Sequence, residues 1–372
     1  MTSIIYVGMD VHTTNYTLCC YSMEDDRFFA EVQVEPDAKN ILKYLARIEK
    51  QQSRDCRIVC GYEAGCLGYS LYHQLHAHGI DCVILAPTTM MTKPGKRIKT
   101  DRRDARLISK CLAFHTYSPV YIPTEVDDAV KEYIRMRDDA NSALARVKQQ
   151  IIAFCIRHGK IHDGKSYWTN KHLEWLSSLD LGNKILSEVL QECLIRYYQL
   201  REQVDMYDMR INELAQAEPY RQKVEKLGCF RGIAAHTALS FCVEVGDFRR
   251  FATAQQFASY LGLVPGECSS GDKQQYTGIT KAGNSHLRKL LVETAQVFGR
   301  SATKSGKSVA LKERQAKCDS LTVAYADKAN ARLKKKYFKI AMRSKVNIAK
   351  TAVAREMACF IWGMMTDNIS CA

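Results

Sequence analysis

The chain has 372 residues, 46% hydrophobic and 25% charged, a globular composition that excludes disordered and collagen-like classes. Its 54 Lys and Arg against 40 Asp and Glu leave a net charge of +14, which points to a polyanionic partner and says nothing about fold. The start, MTSIIYVGMD, lacks the basic and apolar regions of a secretory signal, and no run of about 18 apolar residues occurs, so a cytoplasmic protein without a membrane span is expected.

In chain order, Ile4–Met9, Tyr16–Tyr21 and Phe28–Val34 read as three strands joined by tight links. A helix follows with Ile41, Leu42, Leu45 and Ile48 on one face. Next come a strand at Arg57–Tyr62, a helix near Leu67–His78, a strand at Asp81–Leu85 and a helix starting near Thr100. Three antiparallel strands followed by right-handed crossovers predict a mixed sheet with helices on its faces. That order is similar to the ribonuclease H-like fold.

The middle of the chain is helical. Val126, Val130, Tyr133, Ala140, Leu144, Val147, Ile151 and Phe154 fall mostly on steps of three and four, with Arg137 the polar intrusion. A second register, Leu186, Leu190, Cys193, Tyr197, Leu200, Val204, Tyr207, Ile211 and Leu214, keeps those steps over about four heptads. This is a coiled-coil seam, formed within the chain or between subunits; one long helix packed on its own domain gives the same pattern. Farther on, residues 227–238 have the look of a helix-hairpin-helix, which presents backbone N–H groups to phosphate, although Ala234 stands where a second glycine is usual.

The positive charge is concentrated in two zones. Residues 300–356 hold 16 Lys and Arg against 4 Asp and Glu, and residues 90–110 hold 8 against 2. The 15 cysteines are scattered without CxxC pairs or zinc spacing, so reduced thiols are expected.

Four carboxylates stand at element ends. Asp10 ends the first strand, Glu63 ends the fourth, and Asp101 and Asp104 open the helix in KTDRRDAR, three residues apart and so on one face. Neighbouring first and fourth strands would set Asp10 beside Glu63. Four converging carboxylates repel unless hard divalent cations lie between them, and two Mg²⁺ ions so held can clamp a phosphodiester. Lys99, Arg102, Arg103 and Arg106 stand ready to meet phosphates. Each carboxylate alone also reads as a strand-end turn residue or a helix N-terminal acid.

A second constellation lies in LVPGECSSGDKQQYTGITKAGNSHLRKLL, where Ser269 and Ser270 precede Gly271, and Lys281, His286, Arg288 and Lys289 follow. Spacing alone favours an ordinary Ser/Gly surface loop.

YEAGCLGYSLYHQL, KPGKRIKTDRRDAR, YWTNKHLEWL, YLGLVPGECSSG and GITKAGNSHLRKLLVE together resemble the DEDD transposases of insertion sequence family 110, with Piv-type pilin-gene invertases as relatives. The resemblance runs from Asp10 to Trp362. It implies an α/β, RuvC-like domain over residues 1–120 with Asp10, Glu63, Asp101 and Asp104 binding metal. It further implies a helical coiled-coil oligomerisation region over 121–220 and a mainly helical transposase domain over 221–372. In that family a serine links covalently to DNA; Ser270 takes the role here, with Ser269 the fallback because two serines are adjacent. A structured guide RNA from the element, DNA of element ends and target, and a dimer or tetramer are the implied partners.

The resulting expectation is an RNA-guided, Mg²⁺-assisted recombinase. Lys281, Arg288, Lys289, Lys334, Lys335 and Lys336 would contact nucleic acid. The rivals are a metal-only RuvC-like nuclease or junction resolvase, a Piv-type invertase and a non-catalytic nucleic-acid-binding protein.

Overall fold

A computed structural model describes residues 3–51, 56–65, 67–90, 100–267, 275–300 and 306–369. Lys99, Ser269 and Ser270 lie outside the described residues. The chain forms two compact units, Met1–Ile122 and Pro123–Ala372.

The first unit is built on β1 (Ser3–Val11), β2 (Tyr16–Ser22), β3 (Arg27–Val34), α1 (Ala38–Gln51), β4 (Cys56–Glu63), α2 (Ser70–Ala77), β5 (Asp81–Leu85) and α3 (Asp101–Ala113). The sheet order is β3-β2-β1-β4-β5. Short links make β1, β2 and β3 antiparallel, whereas crossovers through α1 and α2 make β4 and β5 parallel to β1. The mixed sheet expected from the sequence is therefore present.

Alternation along β1 sorts its side chains between two cores. Ile5, Val7 and Met9 pack with Ile41, Tyr44, Leu45 and Ile48 of α1 and Leu71 and Leu75 of α2. Tyr6, on the opposite face, packs with Ile108, Cys111 and Leu112 of α3. Gly8 lies under α3, and a Cβ there would fall 2.0 Å from the Ala105 carbonyl oxygen. Only a bare α-carbon lets the helix cross the strand this closely. The next residue on that face of β1 is Asp10.

The second unit is mainly helical. Its helices are α4 (Glu125–Arg157), α5 (Asn170–Ser177), α6 (Lys184–Gln216), α7 (Arg221–Gly228), α8 (Ala235–Val245) and α9 (Ala254–Tyr260). A two-stranded hairpin of β6 (Pro265–Glu267) and β7 (Tyr276–Ile279) follows. The chain continues through α10 (Ser285–Gly299), α11 (Val309–Gln315), α12 (Ser320–Ala341) and α13 (Val346–Met365). The 33-residue helices α4 and α6 lie against each other, with Leu144, Val147, Ile151 and Phe154 of one buried with Leu190, Leu194, Tyr197 and Val204 of the other. Arg137 holds Asp208 through Nε at 2.7 Å and Nη2 at 3.1 Å. The apolar register of α6 is thus used within the chain, and Arg137 has a partner on the facing helix.

The β6–β7 hairpin was not expected. Its strands are three and four residues long and glycine-bearing, too short to show alternation. No helix among the described residues is long and apolar enough to cross a membrane.

Candidate active site

In the first unit, the parallel register pairs Gly8 with Gly61 and Met9 with Tyr62. Asp10 and Glu63 are the next residues on these neighbouring strands, so both stand at the same sheet edge, on the face covered by α3. The helix begins at Asp101 because Thr100 caps it, its hydroxyl accepting from the Arg103 N–H. That places Asp101 and Asp104 in the first turn, close enough for their charges to act on Asp10.

Asp10, His12 and Asp101 offer ligand atoms that all lie within 4.8 Å of one another. Glu63 is exposed, and neither it nor Asp104 joins that set. Asp10 Oδ2 is buried with no hydrogen-bond donor, although His12 Nε2 stands 3.3 Å away. Burial raises the Asp10 pKa, and the charges of Asp104 and Asp101 raise it further against the opposing effect of His12. A buried carboxylate oxygen without a donor, among further carboxylates and an imidazole, fits a divalent cation by donor type and charge.

The arginines beside this edge are engaged. Arg102 Nε and Arg106 Nε reach the two oxygens of Glu31, at 3.2 and 2.7 Å. Arg103 is exposed. These ion pairs lie at the surface, where such contacts are weak and exchangeable for phosphate.

In the second unit, β6 and β7 are the described flanks of the serine segment. Lys281 is exposed with φ +57. Arg288 turns back on its own loop, Nη1 donating to Leu261 O at 2.9 Å and Ala282 O at 3.2 Å. Lys289 is exposed and lines an open cleft of about 250 Å³ with Arg137, Asp138, His236, His286 and Glu293. The N-terminus of α8 opens on Ala234, which offers no side-chain cap, with Gly232 at φ +86 just before it. In the basic zone, Lys335 is exposed, whereas Lys336 Nζ is 2.6 Å from Glu356 of α13. Lys334 is half-buried.

Two family models match this chain: a DEDD transposase model of IS110 over residues 7–156 and the Transposase IS116/IS110/IS902 family over residues 225–314. The transposase for insertion sequence element IS1533 of Leptospira borgpetersenii is 32% identical over 340 residues, covering 90% of this chain and 95% of the relative. The chain belongs to the IS110 family of DEDD transposases. A Sinorhizobium fredii relative, y4qE, is 36% identical over 307 residues, 82% of this chain and 75% of its own length. The transposase for IS1111A of Coxiella burnetii is 25% identical over 264 residues, 68% and 71% of the two chains.

As a transposase, this enzyme cleaves and rejoins DNA. Three features of its two units escaped sequence reasoning. His12 lies two residues beyond Asp10, just past the end of β1, and that short spacing was the available signal. Glu31 as the partner of Arg102 and Arg106 had none, because β3 reaches α3 only through the fold. The third is a cluster of Asp138, Glu244 and His286 in the second unit, drawn from three helices far apart in sequence.

Proposed function

We propose that this transposase is an RNA-guided recombinase that cuts and rejoins DNA through a covalent phosphoserine on Ser270, assisted by Mg²⁺ at the Asp10, Glu63, Asp101 and Asp104 tetrad. Ser269 is the alternate nucleophile. The observation that carries the metal half of this reading is the buried, donorless Asp10 Oδ2 beside Asp101 and His12. The strand order and the placement of Asp10 and Glu63 at the ends of neighbouring strands support a RuvC-like fold for residues 1–120.

Asp10, Asp101, Asp104 and Glu63 would hold the metal, with His12 at its edge. Bound there, Mg²⁺ would stabilise negative charge developing on the phosphate oxygens. Arg102 and Arg106 would exchange Glu31 for the DNA backbone. The Ser270 hydroxyl oxygen would attack phosphorus and lose its proton while the departing nucleotide oxygen gains one. A new O–P bond replaces the broken one, so rejoining needs no ATP. Residues 121–220 would carry oligomerisation to a dimer or tetramer, and residues 221–372 would supply the serine and the basic surface for DNA and guide RNA. On that surface, Lys281, Lys289 and Lys335 are the exposed cations among the residues expected to bind.

The test is Mg²⁺-dependent strand cleavage by the purified protein with its guide RNA. Asp104→Asn is expected to lower cleavage by about a hundredfold or more, as removal of charge-stabilising groups does elsewhere. Undiminished cleavage would remove the carboxylates from the mechanism.

A further inference from the structure

The segment after β7 is anchored with unusual redundancy. Thr280 N–H donates to Val264 O at 2.9 Å, Lys281 N–H to Gly262 O at 3.1 Å, and Asn284 N–H to Tyr260 O at 3.0 Å. Gly283 sits at φ +78 with no room for a Cβ, which would lie 2.1 Å from Tyr260 O. The turn after α9 and the turn before α10 therefore interlock and form the base of the β6–β7 hairpin.

Beneath this base lies a charged cluster. The Asn284 side chain caps α10 by accepting from Leu287 N–H at 2.9 Å and donates to Glu244 Oε2 at 2.5 Å. Glu244 is buried, its side chain only 6% exposed. Its other oxygen meets His286 Nδ1. His286 Nε2 reaches Asp138 Oδ2 at 2.7 Å. Asp138 is also contacted by Arg137 Nη1 at 3.1 Å and His236 Nε2 at 3.0 Å.

A ring with a carboxylate at each nitrogen carries a proton on both, so His286 is an imidazolium. Burial works against that charge, but the hydrogen bonds to Asp138 and Glu244 overcome it and raise the pKa to about 9. Asp138 is held well below the usual carboxylate range, because the close His236, His286 and Arg137 side chains outweigh its burial. The charged or titratable groups around His286 are Arg137 and Asp138 from α4, His236 and Glu244 from α8, and Lys289 and Glu293 along α10.

We infer that His286 is a positioning residue, and that its contacts to Glu244 and Asp138 fix the anchored base from which the chain returns after Ser270. The inference rests on the proposed role of Ser270 only for its catalytic consequence. If His286 loses its proton, Glu244 keeps Asn284 but loses its cation, and the α8 contact of the interlocked turns weakens. No phosphate contact is assigned to this cluster.

The test combines hydrogen exchange with trapping of the DNA–protein adduct, using full-length protein with guide RNA and DNA. In His286→Gln, the amides of Lys281 and Asn284 are expected to lose protection by about tenfold or more at pH 7, the scale set by losing one charged hydrogen bond. Amides in α13 are expected to keep theirs. Adduct formation by the wild type should fall as pH rises through about 9, whereas His286→Gln should be slow and lack that alkaline limb. Glu244→Gln, nearly isosteric, repeats the test if His286→Gln does not fold. Unchanged protection at Lys281 and Asn284 in the folded variant would overturn the inference, as would an alkaline limb identical to the wild type's. A wild type that forms no adduct while these amides still respond would refute the serine reading and leave the positioning role standing.

Discussion

Gly8 on β1 and Ala105 on α3 meet backbone to backbone, so closely that a Cβ on Gly8 would fall 2.0 Å from the Ala105 carbonyl oxygen and 2.4 Å from the Ser109 nitrogen. This contact sets the height of α3 over the sheet and thereby the distance of Asp101 and Asp104 from Asp10. Gly8→Ala must push the helix away. It is expected to destabilise the protein by about 1–3 kcal/mol, the usual range for overpacking, and to weaken divalent-cation binding. Urea unfolding and a cation titration measure the two effects.

Asp10 combines burial with two like charges. Removing its charge relieves that repulsion, so Asp10→Asn without metal is expected to melt at or above the wild-type temperature. Adding Mg²⁺ should raise the melting temperature of the wild type and leave that of Asp10→Asn nearly unmoved, because ligand bound only to the folded state stabilises it. A scan with and without Mg²⁺ reads both.

Glu31 occupies two arginines. Glu31→Gln should free Arg102 and Arg106 for phosphate while changing stability by no more than about 1 kcal/mol, since both pairs lie at the surface. Duplex affinity should rise at low salt, and the dependence of log affinity on log salt should steepen by up to about two, roughly 0.9 for each added phosphate contact. Binding isotherms at several salt concentrations test this.

His286 makes stability depend on alkaline pH. Its folded pKa, about 9, lies above the ordinary value of 6.5. Below 6.5 both folded and unfolded chains carry the proton and its contribution is complete. Between 6.5 and about 9 only the folded state keeps the proton, so the contribution declines and is gone above that range. Wild-type stability should therefore fall across this window more steeply than that of His286→Gln, as denaturant midpoints at stepped pH will show.

Much of the first unit was legible in the sequence because its elements are local and regular. The apolar spacing of Ile41, Leu45 and Ile48 identifies α1, and the β-rich runs identify the strands. Asp10 and Glu63 were found from their positions at strand ends, and the pair Asp101 and Asp104 from helical spacing in a helix starting near Thr100. The partners were not legible. Glu31 meets Arg106 across 75 positions and His286 meets Asp138 across 148, and no local pattern encodes such a pairing. The β6–β7 hairpin was missed because short, glycine-bearing strands carry almost no periodicity. Arg288 and Lys336, expected to contact nucleic acid, have partners within the protein that no local pattern announced: one hydrogen-bonds the Leu261 and Ala282 carbonyls and the other pairs with Glu356.

The central claim is that DNA is cut and rejoined through a serine working with a carboxylate-held metal. The most direct measurement is denaturing electrophoresis of the guide-RNA-loaded protein after reaction with end-labelled element DNA and Mg²⁺. The expected result is a labelled DNA–protein adduct with the wild type that disappears in Ser270→Ala and requires Asp10, Asp101 and Asp104. Normal cleavage and rejoining by Ser270→Ala and by Ser269→Ala, with no adduct from any of the proteins, would contradict it.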